Sequence, residues 1–426
     1  MNMKKLLVFF SVAILLTSLT ACTQPAEASF IQSDKPRDTA PDVPPTDLES
    51  LVSDNTAFAL DLYQQLRTKD SNLFYSPYSM SLALAMTYAG AAGETERQMA
   101  ETLHFGLPQS RLHPAFNSLA LELAERGRGA QGKDGEGFRL NIVNATWGQK
   151  DYEFLDSFLD VLAEDYGAGL RLVDFIGAPE KSRVTINDWV SQQTEDRIKD
   201  LIPQGLINEL TRLVLTNAIY FNAAWASPFS ENATSDGVFK LLDGGEVTVP
   251  MMRQTESFGY AEGDGYQAVE LPYDGNELSM VILLPEAGRF GNFEASLDSA
   301  RLDEVLGALN YRQVDLTMPK FEFETELGLK VTLSDMGMPL AFTPDADFSG
   351  MTGHRELFIT EVVHKAFVSV DEAGTEAAAA TAVIVGLTAV PVSPVVVNID
   401  RPFIFLIRDI ETGAVLFLGR ILNPAD

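Results

Sequence analysis

The sequence is poor in cysteine and histidine, with one Cys and four His among 426 residues. The histidines are His104, His113, His354 and His364. They are scattered without the spacing of metal ligands, and the single cysteine, Cys22, excludes an intrachain disulfide. The Gly-x-Ser-x-Gly turn of serine hydrolases and the His-Glu-x-x-His helix of zinc peptidases are also missing. We therefore expect no enzyme, no cofactor and no metal site.

Basic residues are scarce too, with 31 Lys and Arg against 60 Asp and Glu and a formal net charge of -29. A surface of this sign repels polyanions, so we expect no nucleic-acid ligand. Arg126, Arg128 and Lys133 are scattered and form no basic helix face, which makes a heparin-like ligand unlikely to bind. Residues 127–133 approach the spacing of a phosphate-binding loop, but Asp134 stands where that loop needs Ser or Thr. We interpret the segment as a flexible loop.

The N-terminal residues have the composition of a secretory signal. Two lysines precede an apolar run over residues 6–16, which is shorter than the ~20 residues of a membrane span. The closing Leu-Thr-Ala-Cys of residues 19–22 resembles the bacterial lipobox. This resemblance implies a signal peptide over residues 1–21 and acylation of Cys22. We expect a secreted protein anchored by lipid to the bacterial cell envelope, at the outer membrane or cell surface.

The rest of the chain divides into a short polar stretch and one long unit. Residues 22–46 comprise the cysteine and a stretch of mostly Pro, Ala, Ser, Thr and Asp, which predicts a disordered tether. Residues 47–426 contain no second linker, no internal repeat and no abrupt change in composition. We predict a single domain there, although its length exceeds that of a typical domain.

Hydrophobic periodicity predicts helices mostly in the first half of that domain and strands mostly in the second. The predicted helices are 51–66, 76–88, 94–103, 111–125, 154–166, 181–199 and 301–309. The predicted strands are 138–145, 213–221, 247–252, 278–284, 313–323, 358–370, 403–408 and 415–422. This order is typical of an α+β fold with sheets packed against a helical side.

Residues 371–389 form a run dominated by small side chains. Alanine favours a helix, whereas the β-branched residues on both sides favour a strand. Laid out as a strand, the run places Thr375 and alternate small residues up to Thr381 on one face, and the carboxylate of Glu376 on the other. The first face could then enter a sheet without burying a charge. Gly374 lacks a Cβ and can act as the pivot.

These residues carry a resemblance to a known family. Residues 372–379 read Glu-Ala-Gly-Thr-Glu-Ala-Ala-Ala, which resembles the reactive-loop hinge of the serpin family of protease inhibitors. Residues 397–407, Val-Asn-Ile-Asp-Arg-Pro-Phe-Ile-Phe-Leu-Ile, resemble a second serpin signature. The resemblance extends over residues 47–426. It implies a serpin-like fold with a helical side on a large central mixed sheet, further sheets and an exposed reactive-centre loop of about residues 372–397.

The resemblance also implies a function. Inhibitory serpins are suicide substrates of serine endopeptidases, and we expect this chain to act as a monomer on such a protease. The expected hinge residues are Glu372, Gly374, Thr375, Glu376, Ala377, Ala378, Ala379 and Ala380. No bulky residue or proline interrupts this hinge, which favours an inhibitor. A non-inhibitory serpin acting as a binding or chaperone protein is the alternative.

Family spacing from Glu372 places the reactive bond between Thr388 and Ala389, which suits an elastase-like protease. A shift by one residue to Leu387-Thr388 would suit a chymotrypsin-like protease, and a cysteine protease is also an open alternative. No Lys or Arg lies between Glu372 and Asp400, so a trypsin-like target is not expected.

Two further groups of residues match the family's motifs. In the family, such residues lie beneath the central sheet, where the exchangeable hydrogen bonds of small hydroxyls, an amide and an imidazole ease strand separation. The matching residues, which we call the shutter, are Ser76, Ser79, Asn217 and His364. At the base of the loop, an ion pair and a tryptophan are expected to hold the closed state. The matching residues, which we call the breach, are Trp225, Lys320 and Glu372.

Overall fold

The computed structural model describes residues 28–128, 130, 139–375 and 393–426. The helices of the described residues are α1 Pro45–Leu66, α2 Pro77–Tyr88, α3 Gly93–Leu103, α4 Gln109–Glu125, α5 Asp156–Tyr166, α6 Pro179–Gln193, α7 Phe290–Ala295, α8 Ser299–Gly307, α9 Lys330–Met336 and α10 Ser349–Thr352. The strands are β1 Ser29–Ile31, β2 Leu73–Tyr75, β3 Arg139–Gln149, β4 Leu170–Val173, β5 Leu213–Ala224, β6 Ser235–Lys240, β7 Glu246–Gly263, β8 Tyr266–Pro272, β9 Leu278–Pro285, β10 Asn310–Pro319, β11 Phe321–Gly328, β12 Ile359–Val370, β13 Gly374–Thr375, β14 Val395–Asn398, β15 Phe403–Asp409 and β16 Val415–Ile421.

The central sheet has seven strands in the order β1, β4, β3, β5, β13, β12, β11. Its middle strands, β5 and β12, pair directly and in parallel, from Leu213 beside Ile359 to Tyr220 beside Phe367. We call this contact the seam. On either side, β3 pairs with β5 and β11 with β12 in antiparallel fashion, so the sheet is mixed.

The second sheet runs in the order β14, β10, β7, β8, β9, β15, β16, β2, with β6 paired to β7. Strand β9 lies in the middle of this sheet, and all eight of its residues are buried. Such a continuous apolar run is typical of a strand that is covered on both faces. Together, the two sheets and the helices confirm the predicted α+β architecture.

Helix α2 positions two shutter residues beneath the central sheet. Eleven of its twelve residues are buried, as expected for a helix enclosed on all sides. It contacts β16 of the second sheet and β3 and β5 of the central sheet. Ser76 caps the helix by accepting a hydrogen bond from the amide of Ser79 at 3.1 Å, and Pro77 occupies the first helical position. Both features are preferred at helix starts.

The helix predicted over residues 181–199 is wrong at its C-terminal end. Helix α6 ends at Gln193, and Glu195, Asp196 and Asp200 have positive φ angles. These angles are incompatible with a continuing right-handed helix. The apolar spacing extends beyond the helix because Ile198 packs into the core from the irregular segment that follows α6.

The strand predicted over residues 313–323 is also wrong, because it is two strands in different sheets. β10 ends at Pro319 in the second sheet, and β11 begins at Phe321 in the central sheet. The chain remains extended as it passes from one sheet to the other, so the alternation of apolar and polar residues continues across Lys320. Lys320 lies at this crossing point, which places it beside the base of the loop.

The disordered tether predicted over residues 22–46 is wrong for residues 28–46. Strand β1 adds to the edge of the central sheet by antiparallel pairing with β4, and α1 already begins at Pro45. We call residues 28–44 the strap. Its composition offers little to bury, but strand pairing through backbone groups requires no apolar side chains.

Polar contacts hold the rest of the strap against α5 and α4. Lys35 forms ion pairs of 3.1 Å with both Asp160 and Glu164 of α5. The guanidinium of Arg37 donates a hydrogen bond of 2.8 Å to Asn117 of α4. The strap therefore links the edge of the central sheet to the helical side.

Candidate functional site

The first residues of the predicted loop already lie in the central sheet. Gly374 pairs with Ala224 of β5, and Thr375 pairs with both Ala223 of β5 and Val370 of β12. Both pairings are antiparallel. Strand β13 therefore occupies the top of the gap between β5 and β12, directly above the seam.

Only glycine fits at position 374 because the neighbouring backbone is so close. A Cβ at this position would lie 2.1 Å from the carbonyl oxygen of Ala223 and 2.7 Å from the Cα of Ala224. Both atoms belong to the backbone of β5, so they cannot move aside as a flexible side chain could. Gly374 thus allows the chain to enter the sheet at its top.

The side chain of Thr375 points into the protein interior and has no exposed surface. Its hydroxyl lies 2.8 Å from the hydroxyl of Tyr273. The Tyr273 ring stacks on the indole of Trp225 with centroids 4.7 Å apart. This pocket accepts a small polar side chain and satisfies it with a hydrogen bond.

The breach residues lie together at the base of the loop. Lys320 donates a hydrogen bond of 2.7 Å to Glu372, and Thr234 donates another of 2.7 Å to the second carboxylate oxygen. Burial alone would raise the pKa of Glu372, but these two hydrogen bonds, a backbone hydrogen bond and the charge of Lys320 together hold the pKa below its ordinary value. Trp225 donates from its indole to the carbonyl of Asp371 at 3.0 Å. The loop base is thus held by a charged pair and by backbone contacts.

The four shutter residues also lie together, and they connect the seam to α2. Asn217 of β5 accepts a hydrogen bond from Nδ1 of His364 on β12, directly across the seam. The Asn217 amide donates to the hydroxyl of Ser79 at 2.6 Å. The backbone amide of Ser76 lies 3.4 Å from Nε2 of His364. All four residues are at most 1% exposed.

These contacts fit a neutral His364. Nδ1 donates to Asn217 while Nε2 accepts from the amide of Ser76, which is the pattern of one imidazole tautomer. Burial lowers the pKa of His364 to about 3. The bond across the seam is therefore a neutral hydrogen bond, which a new partner can replace at little net cost.

Sequence reasoning missed three residues of this site. Asn144 of β3 donates to the carbonyl of Ser79 at 3.0 Å and accepts from Asn217. Thr234 and Tyr273 complete the breach, as described above. Asn144 continues the alternation of Leu140 and Ile142 in the strand predicted at 138–145, so a polar residue at the next position of this apolar face was a usable signal. The roles of Thr234 and Tyr273 depend on the fold and leave no local pattern.

Several predicted residues fall outside the described part of the chain. These are Cys22, Glu376, Ala377, Ala378, Ala379, Ala380, Leu387, Thr388 and Ala389. Within the described ranges, no three His, Cys, Asp or Glu side chains are grouped to hold a metal ion. A helix of sufficient length and apolarity to cross a membrane is also absent from these ranges.

The site lies where the first residues of the loop meet the two middle strands of the central sheet. A gap open at the top holds two residues of the loop, and an exchangeable polar network closes the seam below. The two strands that form the seam, β5 and β12, already pair with β13 at the upper end of the seam. Such edges add a strand through main-chain hydrogen bonds.

Comparison with known proteins identifies the class. Residues 53–424 match the family model described as Serpin (serine protease inhibitor). The chain is 42% identical over 379 residues to an uncharacterized serpin-like protein of Thermococcus kodakarensis, covering 88% of this chain and 86% of that protein. It is 40% identical over 389 residues to the human leukocyte elastase inhibitor, covering 88% of this chain and all of that protein.

A solved structure agrees with these matches. The native state of tengpin, a thermophilic serpin, superposes with a TM-score of 0.81 and 28% sequence identity, covering 93% of this chain and 99% of tengpin. This chain belongs to the serpin family. The family is that of serine protease inhibitors, which are not themselves enzymes, and relatives of this chain include leukocyte elastase inhibitors.

Proposed function

We propose that this serpin inhibits serine proteases as a suicide substrate. The protease serine attacks the carbonyl carbon of Thr388, the bond to the nitrogen of Ala389 breaks, and the leaving amine takes a proton from the protease. The protease is then joined to Thr388 as an ester. Insertion of the cut loop into the seam carries the protease away before water hydrolyses that ester.

The position of β13 is the observation that carries this proposal. Thr375 pairs with β5 and β12 at once, and both pairings are antiparallel. A strand that continues from Thr375 would therefore run down the seam without changing direction. It would reach the lower end, where Leu213 lies beside Ile359, at about residue 385.

The register of that strand supports the assignment of the shutter. Six residues beyond Thr375, Thr381 would lie between Asn217 and His364. Its side chain would share the inward face of Thr375, because even spacing returns to the same side of a strand. The Thr381 hydroxyl could then replace the hydrogen bond that joins Asn217 and His364 in the uncut protein.

The free energy available from insertion is large enough to hold the protease. About ten newly paired residues at ~0.5–1.5 kcal/mol each give on the order of 10 kcal/mol. This matches the ~5–15 kcal/mol that stabilises a whole domain. The uncut protein is then a kinetically held state.

The target that we propose is an elastase-like serine protease. Thr388 preceded by Leu387 suits a small or medium primary pocket, and the chain is 40% identical to the human leukocyte elastase inhibitor. Leu387-Thr388 as the reactive bond, with a chymotrypsin-like target, is the alternative, and a cysteine protease is a further one.

A protease panel tests the proposal. The purified protein is mixed with elastase, chymotrypsin, trypsin and papain, and the products are separated in SDS. We expect an SDS-resistant complex with elastase, and mass spectrometry should locate the released peptide's new N-terminus at Ala389. Cleavage without any complex would indicate a non-inhibitory binding or chaperone serpin.

We also propose that the protein is secreted and anchored through acylated Cys22 to a bacterial cell envelope. Since the strap lies on the body from residue 28, only residues 23–27 separate Cys22 from it. Such a segment spans at most ~20 Å, so the body would lie next to the membrane. Cys22→Ala should abolish incorporation of labelled palmitate and release the protein; unchanged labelling would contradict the anchor.

A further inference from the structure

A cavity of about 650 Å³ lies beside the central sheet, on the side of β3 and β4. Helices α2 and α4 form its walls, and the strap contributes Phe30 and Arg37 to its lining. Much of the lining is apolar, including Leu82, Met86 and Leu140. Its volume falls within the range of small-molecule binding pockets, roughly 300–1,000 Å³.

The cavity contains a positive charge that no carboxylate of the described residues pairs with. Arg171 of β4 is held in an aromatic cage, with its guanidinium carbon 4.2 Å from the ring centre of Trp189, 5.1 Å from Phe30 and 5.7 Å from Trp147. Burial lowers the pKa of Arg171, and no acidic group opposes this effect. Arg171 is only partly exposed, and in a chain with 60 acids and 31 bases an arginine at such a position without a carboxylate partner among the described residues is unusual.

Two other polar groups line the same cavity. Arg37 donates to the neutral Asn117 amide, and within the described ranges it has no ion pair. Tyr78 is only 2% exposed, and its hydroxyl has no hydrogen-bond partner among the described residues. A buried polar atom without a partner costs free energy that a ligand could recover. By contrast, Arg126 at the cavity edge is paired with Asp409 and Glu411.

We propose that this cavity binds an amphipathic anion, a carboxylate with an alkyl chain of fatty-acid size. The carboxylate pairs with the guanidinium of Arg171, and the chain lies along Leu82, Met86 and Leu140. Arginine suits this role because its planar fork binds a carboxylate through two hydrogen bonds.

A ligand in the cavity should also affect strand insertion at the seam, and this consequence rests on the proposed function. Asn144 lines the cavity and belongs to the hydrogen-bond network that closes the seam. Insertion of a strand between β5 and β12 requires β3 and β4 to shift sideways. A ligand that fills the cavity in the uncut state would oppose this shift and slow inhibition.

Tryptophan fluorescence reports binding directly, because Trp147 and Trp189, two of the three tryptophans in the chain, surround Arg171. The mature full-length protein is titrated with dodecanoate below its micelle concentration, and separately with dodecanol. We expect a saturable fluorescence change and a raised unfolding temperature with dodecanoate, and affinity for dodecanol at least tenfold weaker. No saturable change with dodecanoate, or equal affinity for dodecanol, overturns the proposal.

Variants test the assigned residues. Arg171→Gln should weaken dodecanoate binding at least tenfold, whereas Arg312→Gln, at an exposed position on β10, should bind like the wild type. Ala120→Phe places a ring in the cavity while leaving Arg171 intact, and it should also abolish binding. Thermal unfolding shows which variants are folded; dodecanoate affinity unchanged in a folded Arg171→Gln or Ala120→Phe variant contradicts the site.

The binding readout needs no protease, so it can succeed or fail whatever the inhibitory activity. If the protein inhibits elastase, saturating dodecanoate should lower the rate of complex formation at least threefold, and Arg171→Gln should remove this effect. An unchanged rate at saturation would overturn the link to the seam.

Discussion

Thr375 is the residue from which the proposed strand insertion would continue. It has no exposed surface and its hydroxyl is paired with that of Tyr273, so a guanidinium in its place would be buried without a partner. We predict that Thr375→Arg is cleaved as a substrate and forms at least tenfold less SDS-resistant complex, whereas Thr375→Ser retains the wild-type yield. The ratio of complex to cleaved protein on SDS gels measures this. Wild-type complex yield from Thr375→Arg would show that insertion does not need this pocket.

His364 gives the protein a pH-dependent stability. Burial lowers its pKa to about 3, against an ordinary value of 6.5. The unfolded chain therefore binds the proton more readily between these values, and stability is lost as pH falls through that window. At 1.36 kcal/mol per pH unit, up to about 2–3 kcal/mol is lost between pH 6.5 and 4.5.

We predict that His364→Gln, which retains an amide for the network, loses less stability than the wild type over this range. Urea unfolding at pH 6.5 and 4.5 measures the difference. Burial also lowers the pKa of His113 to about 4. Its contribution to the pH dependence of stability is the same in both proteins and cancels in the comparison. Equal slopes in the two proteins would mean that His364 is not buried in its neutral form in solution.

Several site residues could be located from sequence and others could not. Ser76, Asn217 and His364 stand in recognisable motifs, and the structure brings them together. Asn144 and Tyr273 stand in no such motif, and they join the site only because β3 pairs with β5 and because Tyr273, just after β8, forms a bridge with Trp225. Contacts of this kind depend on strand pairing between distant segments, which local pattern does not encode.

At the scale of elements, the strap adds a strand to the central sheet that composition did not predict. Deleting residues 28–44 removes the pairing of β1 with β4 and the contacts to α4 and α5. We predict that this deletion lowers the unfolding temperature by about 3–6 °C, from roughly 2–3 kcal/mol of lost hydrogen bonds. The point variant Lys35→Ala should change it little, because exposed ion pairs contribute weakly.

Differential scanning calorimetry of the wild-type protein and the two variants checks this prediction. An unchanged unfolding temperature after the deletion would mean that the strap does not lie on the body in solution. The strap also shows where composition fails as a guide. It distinguishes segments that can build a core from those that cannot, but a polar segment can still bind to an existing sheet edge through its backbone.

The errors in element boundaries have similar causes. Apolar and polar residues alternate in the same way on both sides of Lys320, so the sequence shows no break there. Only the pairing of β10 with β7 and of β11 with β12 shows that the two strands belong to different sheets. The helix predicted to residue 199 overran because Ile198 and Leu201 are core residues in the irregular segment that follows α6. Periodicity identifies which residues are buried more reliably than where an element ends.

At the scale of the whole molecule, the proposed mechanism treats the central sheet as incomplete and the loop that follows Thr375 as the strand that would complete it. Two residues of that strand are already in place, the seam below them is closed by a neutral polar network, and the loop's own connection to β14 limits further insertion. Cleavage of the loop would remove this limit. Stability should then rise by on the order of 10 kcal/mol.

Thermal unfolding before and after cleavage of the loop tests this account most directly. A catalytic amount of a metalloprotease cuts the loop, mass spectrometry confirms a single cut within residues 382–392, and circular dichroism follows unfolding of both forms. The account predicts that the cleaved protein unfolds at least about 15 °C above the uncleaved one. Equal unfolding temperatures would contradict it, because they would show that the cut loop stays outside the sheet.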